Sequence, residues 1–235
     1  MTTRRAVHLR SLLSLDRRDL EFLLLLTSGW DQIDLRPRQL AARRVGVMGI
    51  GSDPELALAL RIAAHAASVQ LIQLDPALTS DPQQDASTLG SLFDAVVLAD
   101  PDGTREAWYE QDRVRVFNLG GPSGAPFEVI GHVHTRLRHG ALRGAHAVWQ
   151  GEPGPALTSW VQLTGELAVR VTQVGGRRSV PHAILEQVRE RGQAGSFEQV
   201  GELAQPADID ARAKLDVRTR ACVIAAAFEF LLHTE

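Results

Sequence analysis

The chain has 235 residues, 44% of them apolar, and a formal net charge of -3, which suits one large or two small domains with real cores. The near-neutral charge gives no electrostatic reason to expect nucleic acid or an anionic membrane as a partner. A single cysteine, Cys222, excludes an internal disulfide and fits a reducing cytoplasm.

Residues 1–10 are basic, with Arg4, Arg5 and Arg10, and read as a loosely held polar terminus. Ser14-Leu15-Asp16 starts a helix to about residue 29, with Leu20, Leu23, Leu24 and Leu26 apolar and Gly29 at its end. Leu20 to Leu26 is too short and too flanked by charge to span a membrane. Arg17, Arg18, Asp19 and Glu21 also spoil it as the core of a signal peptide.

Residues 45–75 read strand, tight loop, helix, strand. Val45 to Met48 is the first strand and Val69 to Leu74 the second; such a unit within one sheet is a parallel crossover. Pro54 suits the first helical turn, where a missing N–H does no harm. Ser52 with Glu55 three residues on has the capping-box pattern. The loop before this helix falls at the carboxyl end of a strand, where open α/β sheets bind ligands. Gly49-Ile50-Gly51 lacks the third glycine of a dinucleotide fingerprint, since Pro54 stands there, and is read as a turn.

Further along, Thr88 to Phe93 is predicted helical, Ala95 to Leu98 a buried strand, and Thr104 to Gln111 a short helix. Val114 to Asn118 is a fourth strand, followed by a flexible Gly120–Gly124 loop. Pro126 opens a helix to about Arg138 with Val129, Ile130, Val133 and Leu137 on its apolar face. The second half repeats the theme: strand Ala145–Trp149, loop Gly151–Pro155, helix Leu157–Leu167, strand Val169–Val174 and helix Pro181–Gly192. Asp208 or Asp210 caps a final apolar helix ending near Leu232. The expected fold is α/β, a parallel sheet with flanking helices plus a reduced second α/β lobe.

Several residues invite chemistry, and each has a plainer reading. Glu128 and His132 share a helix face at i, i+4 and suit a surface hydrogen-bonded pair better than a metal site. His132 and His134 point apart on a helix. Asp100, Asp102 and Glu106 read as a solvated turn, Cys222 as a core thiol, and Trp149 and Trp160 as core or interface. No metal and no cofactor is implied.

The order of segments resembles the aspartate/ornithine carbamoyltransferase family, most closely aspartate carbamoyltransferase. HLRSLLSLDRRDLEFLL is similar to the family's amino-terminal helix. GSDPELALALRIAAHAASVQLIQLDP lines up with its Pro-Ser-Thr-Arg-Thr-Arg phosphate loop, helix and next strand. FDAVVLADPDG resembles the strand before a family arginine, and VRVFNLGGPSGAPFEVIGHVHT the asparagine–glycine loop and His-Pro-x-Gln helix. LRGAHAVWQGEPGPALTSW resembles the opening of the second domain, and Arg220 and Ala221 fall in what resembles the closing helix. The resemblance implies a carbamoyl-phosphate-binding-like domain over 1–138, a reduced amino-acid-binding-like domain over 139–207, and a terminal helix over 208–235 that packs back on the first.

The departures fall on the site. Ser52 is kept, but Asp53, Pro54, Glu55 and Leu56 stand where the family has Thr, Arg, Thr and Arg. Ala99 replaces an arginine, Thr79 falls near a mobile-loop lysine, and Ala125 stands at the catalytic-histidine position. Pro126 keeps the proline and Glu128 replaces the glutamine; the late His-Pro-x-Pro-Arg loop is absent. Asp53 and Glu55, with no arginine beside them, would repel an incoming dianion by roughly 4 kcal/mol per unit charge at 4 Å.

The expectation is a catalytically inactive, cytoplasmic carbamoyltransferase-like protein that works by binding. The family assembles as trimers through the first domain. The resemblance therefore implies a homo- or hetero-oligomer, with an active carbamoyltransferase as candidate partner in pyrimidine synthesis. The candidate ligand cleft comprises Ser52, Asp53, Glu55, Asn118, Pro126, Glu128 and His132. Two other readings stay open: an enzyme using Ser52, Asn118, Glu128 and His132 on a less anionic substrate, and a small-molecule sensor without a partner.

Overall fold

The structure, a computed structural model, describes residues 8–37, 43–50, 53–75, 82–100, 103, 105, 115–192, 195–203 and 206–232, with side chains in the 82–92 helix from residue 86 onward. In chain order the elements are α1 (Arg17–Gln32), β1 (Arg44–Met48), α2 (Pro54–Ala66), β2 (Gln70–Gln73), α3 (Pro82–Leu92), β3 (Ala95–Ala99) and β4 (Val116–Gly120). They continue with α4 (Pro126–His139), β5 (His146–Gln150), α5 (Pro155–Leu163), β6 (Arg170–Val174), α6 (His182–Glu190), β7 (Ser196–Val200), β8 (Ile209–Asp210) and α7 (Val217–Leu232). The expected helix at 104–111 lies outside the described residues.

Two parallel four-stranded sheets form, ordered β2-β1-β3-β4 and β7-β6-β5-β8. Strands β1 and β3 are apolar runs because both faces of a central parallel strand are covered. Strand β2 carries Gln70 and Gln73 because it lies at the sheet edge, where polar side chains discourage further pairing. Strands β7 and β8 were not legible as strands: β7 is half exposed and β8 is two residues long.

The terminus differs from the loosely held segment expected. Leu9 is 0% exposed and bridges β4 in parallel, its amide donating to the Val116 carbonyl and its carbonyl accepting from the Asn118 amide. The next residues form a 3-10 turn, Leu12–Ser14, before Asp16 caps α1 through the Asp19 amide. Arg4 and Arg5 lie outside the described residues.

Helix α7 is apolar nearly all round, and such helices are buried. From Thr219 to Leu232 only Glu229 escapes full burial. The helix packs on α1, α2 and α4, so the end of the chain completes the core of its beginning. Neither Asp208 nor Asp210 caps it. The segment 208–211 is drawn into pairing with β5, through Asp208 N–H to His146 O and Ala211 N–H to Val148 O. Asp216 caps instead, accepting from the amide and hydroxyl of Thr219.

The two lobes are fastened to each other. Gln162 accepts from the Leu12 amide at 3.2 Å and donates to the Ser123 carbonyl at 2.8 Å. The Arg191 guanidinium donates to the carbonyls of Leu13 and Leu15 and to Glu166. The Gly120–Gly124 loop is no loose connector: Gly121 and Gly124 exchange both backbone hydrogen bonds. Gly124 has φ 133°, and a Cβ there would lie 2.3 Å from Ser159 Oγ. Among the described residues no helix is long and apolar enough to cross a membrane.

Candidate functional site

Helix α2 begins at the carboxyl end of β1, and its start is occupied by the chain's own carboxylate. Asp53 is the cap, rather than Ser52, which lies outside the described residues. The reason is local: the residue before a proline is pushed to extended backbone, which is the N-cap conformation, and Asp53 has φ -111° and ψ 100°. Its Oδ1 accepts from the amides of Glu55 and Leu56, both at 3.0 Å.

The other carboxylate oxygen meets Nη1 of Arg220 at 3.1 Å, while Nη2 of Arg220 meets Oε1 of Glu128 at 3.3 Å. Arg220 is 4% exposed and lies on α7, 167 positions along the chain from Asp53. This corrects the expectation that no arginine stands beside Asp53 and Glu55. A guanidinium is there, delivered by the returning last helix, but it is already shared by two carboxylates. Lys214 pairs with Glu55 at 2.9 Å. Burial works against the charge of Asp53, yet the Leu56 amide and Arg220 together hold its carboxyl below the ordinary range. Burial raises Glu128 above its ordinary value, partly offset by Arg220.

Glu128 and His132 both face a hollow of about 240 Å3 that Trp149, Lys214 and Arg220 also line. Burial pushes the His132 imidazole down to about 4, so it is neutral across the physiological range. Its ring lies 6.0 Å from that of Trp160. Among the described residues no group of three His, Cys, Asp or Glu side chains is placed to hold a metal. His134 faces away, towards Asp31 at 3.4 Å.

Asn118 stands apart from this cluster. Its amide donates to the carbonyls of Arg10 and Gly124 and its oxygen accepts from the Gly120 amide; it ties the terminus to the loop after β4. Pro126 is the first residue of α4, a preset backbone position. Thr79, Asp102 and Glu106 lie outside the described residues. Cys222 is buried and its thiol is pushed up to about 12 by burial, far from a nucleophile.

A second hollow, about 710 Å3, opens where the loops after β4 (Gly120–Pro122), β5 (Pro153–Pro155) and β6 (Arg178 and Ser179) converge. Most of its residues escaped sequence reasoning, because glycine and proline carry no reactive group. The signal that existed was positional: a Pro-Gly-Pro run and an Arg-Ser-Val-Pro run, each directly after a strand of a parallel sheet.

Two parallel four-stranded sheets, flanking helices and a last helix returning to the first lobe define an α/β fold of the carbamoyltransferase type. A mitochondrial ornithine carbamoyltransferase from Coccidioides immitis matches with a TM-score of 0.79 at 13% identity, over 97% of this chain and 98% of that one. An ornithine transcarbamoylase from Giardia lamblia matches with a TM-score of 0.79 at 11% identity, over 98% and 99%. An aspartate transcarbamoylase from Trypanosoma cruzi, solved with N-(phosphonacetyl)-L-aspartic acid, matches with a TM-score of 0.70 at 15% identity, over 85% and 70%. No family model matches the chain, and no curated protein matches it. At these identities the likeness is one of fold, and it extends to ornithine and aspartate enzymes alike.

Proposed function

We propose that this protein is a carbamoyltransferase-like chain without carbamoyl-transfer activity, acting as a structural or regulatory partner in an oligomer. The observation that carries the reading is the Asp53 carboxylate on the α2 amides, paired with Arg220. Helix starts bind oxyanions through free N–H groups and the helix dipole, and here an internal anion takes those groups. The buried guanidinium that could serve a phosphate is spent on Asp53 and Glu128. Phosphoryl-bearing substrates need fixed cationic partners, and at this end of the sheet the two cations Arg220 and Lys214 already face three carboxylates, Asp53, Glu128 and Glu55.

The proposed partner is a second copy or an active carbamoyltransferase, of which an aspartate enzyme best matches the sequence resemblance. Phe22 and Leu25 on α1 and Leu58 on α2 are exposed apolar side chains on the first lobe, the kind of surface that association covers. Two measurements test the reading. Purified chain assayed for carbamoyl transfer to aspartate and to ornithine is expected to give no turnover above the uncatalysed rate; turnover comparable to a working enzyme overturns it. Gel filtration, alone and with the host's own transferase, is expected to show an assembled species; a monomer in both runs removes the partner role.

A further inference from the structure

We infer that His146, buried in the second lobe, works as a proton-operated latch. Charged, it ties the segment before β8 to the edge strand β7 through Thr172; neutral, it lets the β7 end of that tie go. The latch belongs to the sheet β7-β6-β5-β8 alone and stands whether or not carbamoyl transfer is lost.

His146 opens β5 and is 3% exposed. Its ring makes a contact on each side. Nδ1 lies 3.3 Å from the carbonyl oxygen of Pro206, in the segment that enters β8. Nε2 lies 2.8 Å from the hydroxyl of Thr172, a fully buried residue of β6. That hydroxyl lies 3.0 Å from Oε1 of Glu198, an exposed residue of β7. Thr172 stands opposite Val148 and Glu198 in register, and alternate residues of a strand share a face. The contacts therefore run across one face of the sheet, from the β8 side to the β7 edge.

Counting protons shows why the charge of the ring matters. A carbonyl oxygen only accepts, so the Pro206 contact needs a proton on Nδ1. A carboxylate also only accepts, so the Glu198 contact uses the single hydroxyl proton of Thr172. Oγ1 is then the acceptor at Nε2, which must carry a proton as well. The imidazolium alone makes all three contacts together; the neutral ring has one N–H and gives one contact up. With its proton on Nδ1, the neutral ring accepts from Thr172 at Nε2, and no buried ring atom is left unpaired. The Glu198 carboxylate is released to water, which replaces its lost bond at little cost. The alternative, a proton on Nε2, strands a buried Nδ1 against the Pro206 oxygen. The departing proton has a path: Nε2 passes one to Oγ1 of Thr172 as the hydroxyl passes its own to Glu198 Oε1, and from there it leaves to water.

The other charged groups placed around the ring, among the described residues, come from four elements. Arg170 on β6 stands opposite His146 in register, and Asp210 on β8 stands opposite Val148. Asp208 Oδ2 accepts from the His146 amide at 2.9 Å, and Arg136 of α4 lies 3.6 Å from Asp208 Oδ1. These are two cations and two anions. Strand β7 pairs with β6 alone among the described strands, so a side-chain tie adds hold where local opening is easiest.

The test follows the full chain, labelled with 15N and 13C, by NMR from pH 5.5 to 8.5. The ring nitrogens of His146 report its charge and tautomer, while the Glu198 carboxyl and the amide-exchange protection of residues 196–200 report the latch. His132 is neutral throughout this window and adds no response of its own. The expected result is two protonated nitrogens at the acid end and an Nδ1–H ring at the alkaline end. With the same midpoint, the Glu198 carboxyl resonance shifts and β7 protection falls severalfold. Thr172→Val is expected to uncouple Glu198 and β7 from the ring, and Thr172→Ser to restore the link. An Nε2–H ring at the alkaline end, one protonation state across the window, or a Glu198 and β7 response that is absent or survives Thr172→Val would overturn the inference. If Thr172→Val does not fold, the tautomer and the shared midpoint in the unaltered chain decide. None of these readouts involves carbamoyl transfer, so the two readings fail separately.

Discussion

Helices α2 and α5 both begin where a parallel strand ends, yet their starts are built in opposite ways. At α2 an aspartate caps the amides, a buried arginine caps the aspartate, and a lysine pairs with the neighbouring glutamate. At α5 a glycine stands at the cap with no side-chain bond, and prolines and an exposed arginine surround an open hollow. The backbone offers an anion site at both places. Side chains decide whether the chain fills it from within or leaves it to a visitor. The same fold can therefore present one helix start capped by its own carboxylate and another left without a side-chain cap.

The comparison can be broken most forcefully at Arg220. Arg220→Met leaves Asp53 and Glu128 without their shared cation, and breaking a buried ion pair from one side costs about 3–5 kcal/mol. Urea denaturation should show a loss of that size; a loss near zero would mean that the cation does not hold the α2 start.

The next effect is on acid stability. His132 is neutral in the folded chain down to about pH 4, while the unfolded chain takes up the proton near its ordinary value of about 6.5. Its folded-state value is lowered, so stability is intact above the ordinary value. It falls as the pH drops from there towards about 4, by up to roughly 3 kcal/mol over the whole window. His132→Gln should flatten that slope between pH 6.5 and 4; an unchanged slope assigns the acid sensitivity to other groups. Asp53 acts in the same direction but lower, since its depressed carboxyl contributes above the usual carboxylate range and is lost as the pH falls through its folded value.

The Gly121–Gly124 turn packs against Ser159 and Gln162 of α5. Gly124→Ala forces a methyl against Ser159 Oγ, which itself accepts from the Ala125 amide at 2.9 Å. Overpacking of this kind costs about 1–3 kcal/mol, readable as a loss of that size in urea denaturation; an unchanged stability would mean that the turn yields freely. The smallest effect is expected for Asp53→Ala, where loss of the cap costs about 1 kcal/mol. Here the stability change matters less than the gain expected alongside it: free α2 amides and a half-released Arg220 should admit phosphate, measured by the rise in melting temperature on adding it. A variant that folds but gains no such rise would show that Asp53 was not what kept the anion out.

The sequence carried the strands and helices of the first lobe because each is a short apolar run between turn residues, and central parallel strands are read that way. The acids at the α2 start were legible from Asp53 and Glu55 themselves. Their partner was not: Arg220 reaches them across the fold, and no local pattern links residues so far apart. Pro54 held the clue to the true cap, since it dictates an extended residue before it. Strand β7 escaped because Ser196, Glu198 and Gln199 give an edge strand little apolar signal, and β8 because two residues cannot show a period. Asn118 looked like a ligand group and proved to be a tie between backbone segments, a distinction that depends on which carbonyls the fold brings near it.

The central claim is that the α2 start is already filled by an anion from the chain itself, and the amides of Glu55 and Leu56 report on it directly. In a phosphate titration of the isotope-labelled protein, their NMR resonances should stay in place while Asp53 remains aspartate. A saturable shift of those two resonances in the unaltered chain would contradict the account.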